Sequence, residues 1–181
     1  MSPILSAAEF ADRREPDNGT HEELVRGRIL VKPVPGLQSG AATASIGFLL
    51  AFHLQEWDVG RVVGRCGVIT TRDPDSVRGP PVSFYSYERV PKLPAVIGWA
   101  PVPPDLCIEI KSPSNSVPEL HDKAREYPAA GVRMVWIADP AHRTLTVITD
   151  ALEARTYEAA ATLNGGDVLP GFTCVVSELF E

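Results

Sequence analysis

The order of apolar patterns along this chain predicts an α+β fold, in which helical spacing and strand alternation take turns: helix, strands, helix, strands, helix, strands. Two S-x-x-E sequences, Ser6-Ala7-Ala8-Glu9 and Ser116-Val117-Pro118-Glu119, have the form of capping boxes, which satisfy the orphan donors at helix starts. The second is flanked by two short apolar runs, Pro104 to Ile110 and Val132 to Ala138, of strand length.

Taken in order, a short helix follows Ser6, and the Glu23 to Val34 stretch reads as a hairpin broken at Gly27, with Glu23 on its first strand. Ala42, Ile46, Leu49, Leu50, Leu54 and Trp57 recur at helical spacing and define the longest helix, from about Ser39 to Trp57. Arg61 to Arg72, rich in Val, Ile and Thr and broken by Gly64 and Gly67, suits a strand or hairpin. The proline-rich segment from Asp73 to Pro104 is the least regular, with only Val82 to Ser86 alternating like a strand. A second helix from about Val117 to Ala130, packed on the first, carries Leu120, Ala124 and Tyr127 on its inner stripe and stops at Gly131. Pro128 should kink or end it. Asp139-Pro140 turns the chain, after which Arg143 to Thr149, Leu152 to Ala159 and Phe172 to Val176 alternate as antiparallel strands do.

A chain of 181 residues with 44% hydrophobic and 22% charged residues fits one domain with a core of its own. Cys66, Cys107 and Cys174 lie far apart, so neither a zinc ribbon nor a disulfide framework is indicated, and a reducing cytoplasm is the expected setting. The longest apolar run, Ala44 to Phe52, is half the roughly 18 residues that suggest a membrane span. Seventeen basic against 23 acidic side chains leave a net charge of −6, which opposes nucleic-acid binding unless basic residues are concentrated locally.

The stretch Pro104 to Pro113, PDLCIEIKSP, raises the functional question, because it sets charge into a buried strand. Side chains alternate across a strand, so Glu109 and Lys111 share a face, roughly 6.6 Å apart, while Ile108 and Ile110 take the other. A glutamate can hold a hard divalent cation and a nearby lysine can steady charge that develops in phosphoryl transfer. The plainer alternative is an ion pair on an open sheet face.

The block from Pro104 to Pro140 decides between them by resemblance. Pro104-Asp105, Glu109, Ser112-Pro113-Ser114, Asp122, Lys123, Tyr127, Ala130-Gly131-Val132, Trp136-Ile137 and Asp139-Pro140 resemble, in order, the signature of the Uma2 family of bacterial proteins, in the PD-(D/E)XK restriction-endonuclease-like superfamily. Glu23-Leu24-Val25-x-Gly27 resembles the family's early E-L-x-x-G, and Asp167 to Phe172 with Glu178-Leu179-Phe180 its ending. The resemblance implies a restriction-endonuclease-like fold with a central mixed sheet flanked by helices, a Mg²⁺ or Mn²⁺ site and a homodimer. It makes Glu109 the metal-binding acid, with the Ile110 carbonyl as a further ligand, Lys111 the catalytic lysine, Glu23 an early supporting carboxylate, and Lys123 a helix lysine facing the sheet.

One position departs: Val77-Arg78-Gly79-Pro80-Pro81-Val82 aligns with the family's R-x-P-D-V, leaving Pro81 where the first acidic ligand belongs. Asp75 and Asp105 are the candidates to replace it, although Asp105 lies about 13 Å along the strand from Glu109. The expected function is a divalent-metal-dependent endonuclease acting on nucleic acid, DNA before RNA. Its rivals are a degenerate member serving as a binding or regulatory module, and a hydrolase of another phosphoester.

Overall fold

The computed structural model describes residues 4–14, 16–112, 117–149 and 153–181. Ser6 and Glu9 close the first capping box and α1 (Ala7–Ala11) follows. β1 (Thr20–Val25) and β2 (Arg28–Pro33) form the expected hairpin. Its two turn residues, Arg26 and Gly27, both have positive φ, 49° and 73°, as a turn that matches strand twist requires. α2 (Leu37–Glu56) is the long helix, and β3 (Gly60–Gly64) and β4 (Val68–Thr71) come after it. Then follow β5 (Ser76–Arg78), β6 (Val82–Ser86), β7 (Leu106–Ile110) and α3 (Val117–Ala129). The chain finishes with β8 (Met134–Asp139), β9 (Thr144–Thr149), β10 (Ala154–Tyr157), β11 (Thr162–Asn164), β12 (Thr173–Val175) and a 3₁₀ turn, Val176–Phe180.

A six-stranded sheet runs β10-β9-β8-β7-β6-β3. Only β7 and β8 pair in parallel, because α3 carries the chain back between them; every other pair is antiparallel. A four-stranded sheet, β2-β1-β5-β4, stands beside it, and β11 pairs with β12.

α2 lays Ala42, Ile46 and Leu50 on one face of the large sheet, against Phe84, Leu106, Ile108 and Trp136. Full burial of side chains such as Ile46 and Leu50 contributes about 1.5–3 kcal/mol each. The opposite face, with Cys107 and Val135, packs against Ala124 and Tyr127 of α3. Alternation along β7 therefore turns Ile108 and Ile110 toward α2, and Cys107 and Glu109 toward α3.

Three expectations change. α3 does not pack on α2, since the sheet separates them. Arg61 to Arg72 is no hairpin: β3 joins the large sheet and β4 the small one, so the chain crosses between sheets at Arg65 to Gly67. β5 and β11 are strands that short runs of mixed polarity concealed. As expected, α3 ends one residue after Pro128, and Gly131, at φ 99°, turns the chain out. The second capping residue, Ser116, and Leu152 lie outside the described residues. α2 is also long and apolar enough, by length and composition, to cross a membrane. Its outward face leaves Leu37, Phe48 and Phe52 exposed.

Candidate nucleic-acid site at the Glu109 cleft

Three elements converge on one buried cation. Lys123, on the sheet-facing side of α3, places its Nζ 2.7 Å from Glu23 Oε1 of β1 and 3.2 Å from Glu109 Oε1 of β7. All three side chains are buried, at 6%, 1% and 5% exposure. Glu109 also accepts the Tyr127 hydroxyl at 2.6 Å. Glu23 accepts the Gly79 amide at 3.3 Å and Arg78 Nη1 at 3.1 Å. Arg78 in turn donates two short bonds to Glu126, of 2.7 and 2.6 Å, and Thr70 adds a third to that carboxylate. Buried charges persist only when paired and hydrogen-bonded in this way.

The protonation equilibria follow the pairing. Burial alone would push the Glu23 carboxyl up, but the charge and hydrogen bond of Lys123, then Arg78, hold it below its ordinary value. Burial disfavours the Lys123 ammonium, and the charges of Glu109 and Glu23 outweigh it, so its pKa is raised. Burial, with the Glu109 charge beside it, pushes the Tyr127 hydroxyl well up.

Glu109 and Lys123 form the floor of a cleft of about 250 Å³. Its walls carry Lys32, Arg65 and His21, together with Ser39 and Gly40 from the first turn of α2 and Ile110. Gly36, at the N-cap of α2, offers no side chain to the free amides there. Burial and the charge of Lys123 lower the Lys32 pKa, and burial with the charge of Arg65 lowers that of His21. Burial is the larger cause of both shifts, and the Lys32 ammonium also pairs with Glu119.

Pro81 lines this same cleft. Val82 pairs with Ile108 across β6 and β7, so one further step of the antiparallel register sets Pro81 beside Glu109. The ring therefore occupies the place from which a second carboxylate would face Glu109, and it brings no oxygen donor.

The other predicted residues lie elsewhere. Lys111 leaves the end of β7 on the same face as Glu109, but its Nζ sits 2.6 Å from Asp139 Oδ2, which also receives His142. Asp75 sits in the β4–β5 turn, where it accepts the Ala7 amide at 2.7 Å and pairs with Arg72. Asp105, at 1% exposure, accepts the Ser86 amide at 2.8 Å and pairs with Arg89 and Arg133. None of these three lines the Glu109 cleft. His21 and Lys32 face each other across the β1–β2 hairpin, and Arg65 reaches them from the crossover between the two sheets, a meeting that no local sequence pattern announces.

The chain matches the Uma2 family, described as "putative restriction endonuclease", over residues 7–177. It belongs to the Uma2 family. A crystal structure described as a "putative nuclease belonging to DUF820" from Anabaena variabilis superposes with a TM-score of 0.84 at 20% identity, covering 97% of each chain. At that identity the likeness shows the fold, which is restriction-endonuclease-like. No curated protein matches the chain.

A family so described suggests a divalent cation. The donors of this chain do not fit one. Magnesium and manganese sites assemble several oxygen ligands around the ion. Here one carboxylate, Glu109, faces the cleft, already engaged by Lys123 and Tyr127, with Pro81 beside it and two further cations in the walls. Among the described residues no group of three His, Cys, Asp or Glu side chains is placed to hold a metal.

Proposed function

We propose that this Uma2 protein uses the Glu109 cleft to bind the phosphodiester backbone of nucleic acid, as a member that keeps the nuclease pocket and lacks the metal site for cutting. The observation that carries this reading is Pro81, lining the cleft beside Glu109. The net charge of −6 does not oppose it, because Lys32, Arg65 and Lys123 are concentrated in one concavity. Lys32 and Arg65 would meet phosphate oxygens, Lys123 would act from the floor, and the free amides of the α2 N-terminus would add donors. DNA is the class that the family description favours. A second copy of the chain would cover the outward face of α2, where Phe48 and Phe52 stack at 5.9 Å, and the cytoplasm is the setting the three free cysteines suit.

The rival reading, a divalent-metal-dependent endonuclease, draws on Glu109 and Ile110 both lining the cleft. It requires a further oxygen donor to take the place that Pro81 fills.

Fluorescence anisotropy of labelled DNA, titrated in EDTA across a salt series, tests the proposal. Three contacting cations give a slope of about −2 in log K against log salt for a single strand, and Arg65→Gln or Lys32→Gln should flatten it by about 0.7. Binding indifferent to both substitutions would refute the site.

A further inference from the structure

We propose that the phosphate cleft continues into a nucleobase pocket, so that a single strand sets a phosphate at Lys32 and Arg65 and an adjacent base against Trp99. This inference rests on the phosphate-binding reading above.

A second cleft, of about 170 Å³, adjoins the first and shares His21, Arg65 and Gly79 with it as lining residues. Each alone falls below the roughly 300 Å³ at which ligand pockets begin, and the two together exceed it. The second cleft differs in kind. It is lined by Phe10 and Trp99, whose rings lie 6.0 Å apart at 46°, and flanked by Arg14 and by Arg13, which pairs with Glu22 of the same lining at 3.2 Å. Cationic side chains beside an aromatic wall, next to a phosphate cradle, make the combination that holds unpaired nucleotides: cations for the backbone and a π-face for any base.

Trp99 is held for this use. Its indole lies over the backbone of Gly67, where an added Cβ would stand 2.3 Å from the ring, so only glycine lets it settle there. The half-buried indole thus stays at the wall of the cleft although it belongs to the irregular stretch before β7. At the junction of the two clefts, His21 Nδ1 is buried with no hydrogen-bond partner among the described residues. A buried ring nitrogen left unpaired at a ligand-sized opening is a donor or acceptor held for what enters. Burial, then the Arg65 charge, lowers the pKa of this imidazole, so at neutral pH its unprotonated form can accept as well as donate.

The geometry also selects the form of the strand. A base can reach Trp99 from a phosphate at Arg65 only when it is unpaired and unstacked from its neighbours. Duplex DNA keeps its bases inside the stack and would offer the cleft its phosphates alone.

The test compares three ligands of equal length on the intact protein, in EDTA: a single strand, the same strand with abasic sites, and the duplex. The single strand should bind about tenfold tighter than either of the others, as one stacked base would give. Trp99→Leu should bring the single strand down to the abasic level, and Trp99→Phe should keep most of the difference, with circular dichroism melts showing that both fold. Abasic and intact strands binding alike, or a duplex binding tighter, would overturn the base pocket. If those ligands still weaken with Arg65→Gln, the phosphate reading stands and only this inference falls. If none of the three binds saturably, both fall.

Discussion

Lys123→Met removes one charge and keeps most of the length of the side chain, and it should unsettle the protein far more than an ordinary lysine substitution. In the structure the ammonium is 2.7 Å from Glu23 and 3.2 Å from Glu109, with every partner nearly excluded from water. Glu23 would keep Arg78 and the Gly79 amide. Among the described residues Glu109 would keep only the Tyr127 hydroxyl, a neutral partner for a buried charge. Breaking one side of a buried pair costs about 3–5 kcal/mol, and the surviving partners of Glu23 place the expected loss near the lower end, about 3 kcal/mol. Urea denaturation at pH 8 reads it as a shift in midpoint at unchanged slope. The loss should shrink toward acid, where a buried carboxylate discharges by taking a proton. Adding Glu109→Gln to Lys123→Met should recover part of the stability, because the unpaired charge is then gone. A loss below about 1 kcal/mol at pH 8 would show that Lys123 behaves as an exposed surface partner, and the reasoning from burial would be wrong.

Three further outcomes follow from the same geometry. Pro81→Asp puts an oxygen donor beside Glu109, so it should create saturable Mn²⁺ binding and metal-dependent nicking of plasmid DNA; an inert variant would show that position 81 does not face Glu109. Asp105→Asn should cost about 2 kcal/mol, discounted because Arg89 and Arg133 still reach water, and leave strand binding unchanged; weakened binding would mean that Asp105 serves the cleft. Stability against pH should hold a plateau and fall on the acid side. Glu23 has its folded pKa below the ordinary 4.5, so its contribution is complete above that value and lost as pH drops through the folded pKa. Lys123 is raised above 10.5, so its contribution is complete below that value and lost only at higher pH. A stability maximum below pH 4 would contradict the Glu23 assignment, and a loss of stability between pH 8 and 10 traced to Lys123 would contradict the other.

Much of this architecture is written locally in the chain. The Ser6–Glu9 box, the turn at Gly27, the stripe of α2 and the alternation of β6 are short-range signals, and each element stands where its signal places it. The packing of α3 was not legible, because an apolar stripe says that a helix is buried and not which side of a sheet buries it. The site divides the same way. Glu109, Glu23 and Lys123 were named from their motif positions, and they meet. Lys111 was named from the E-x-K spacing, which holds for the backbone, yet the nearby Asp139 carboxylate claims its ammonium. Arg78 and Glu126 form the pair behind Glu23 across 48 residues of sequence, and no local pattern announces a contact at that range.

Calorimetric titration of the purified protein with Mn²⁺, beside a Glu109→Gln variant, tests the central claim most directly, because it needs no choice of substrate. The account predicts no saturable heat at Glu109: the two proteins give the same flat isotherm, while single-stranded DNA still binds in EDTA. Saturable Mn²⁺ binding in the wild type that disappears in Glu109→Gln would contradict it, placing a metal beside Pro81 and favouring the metal-dependent endonuclease reading instead.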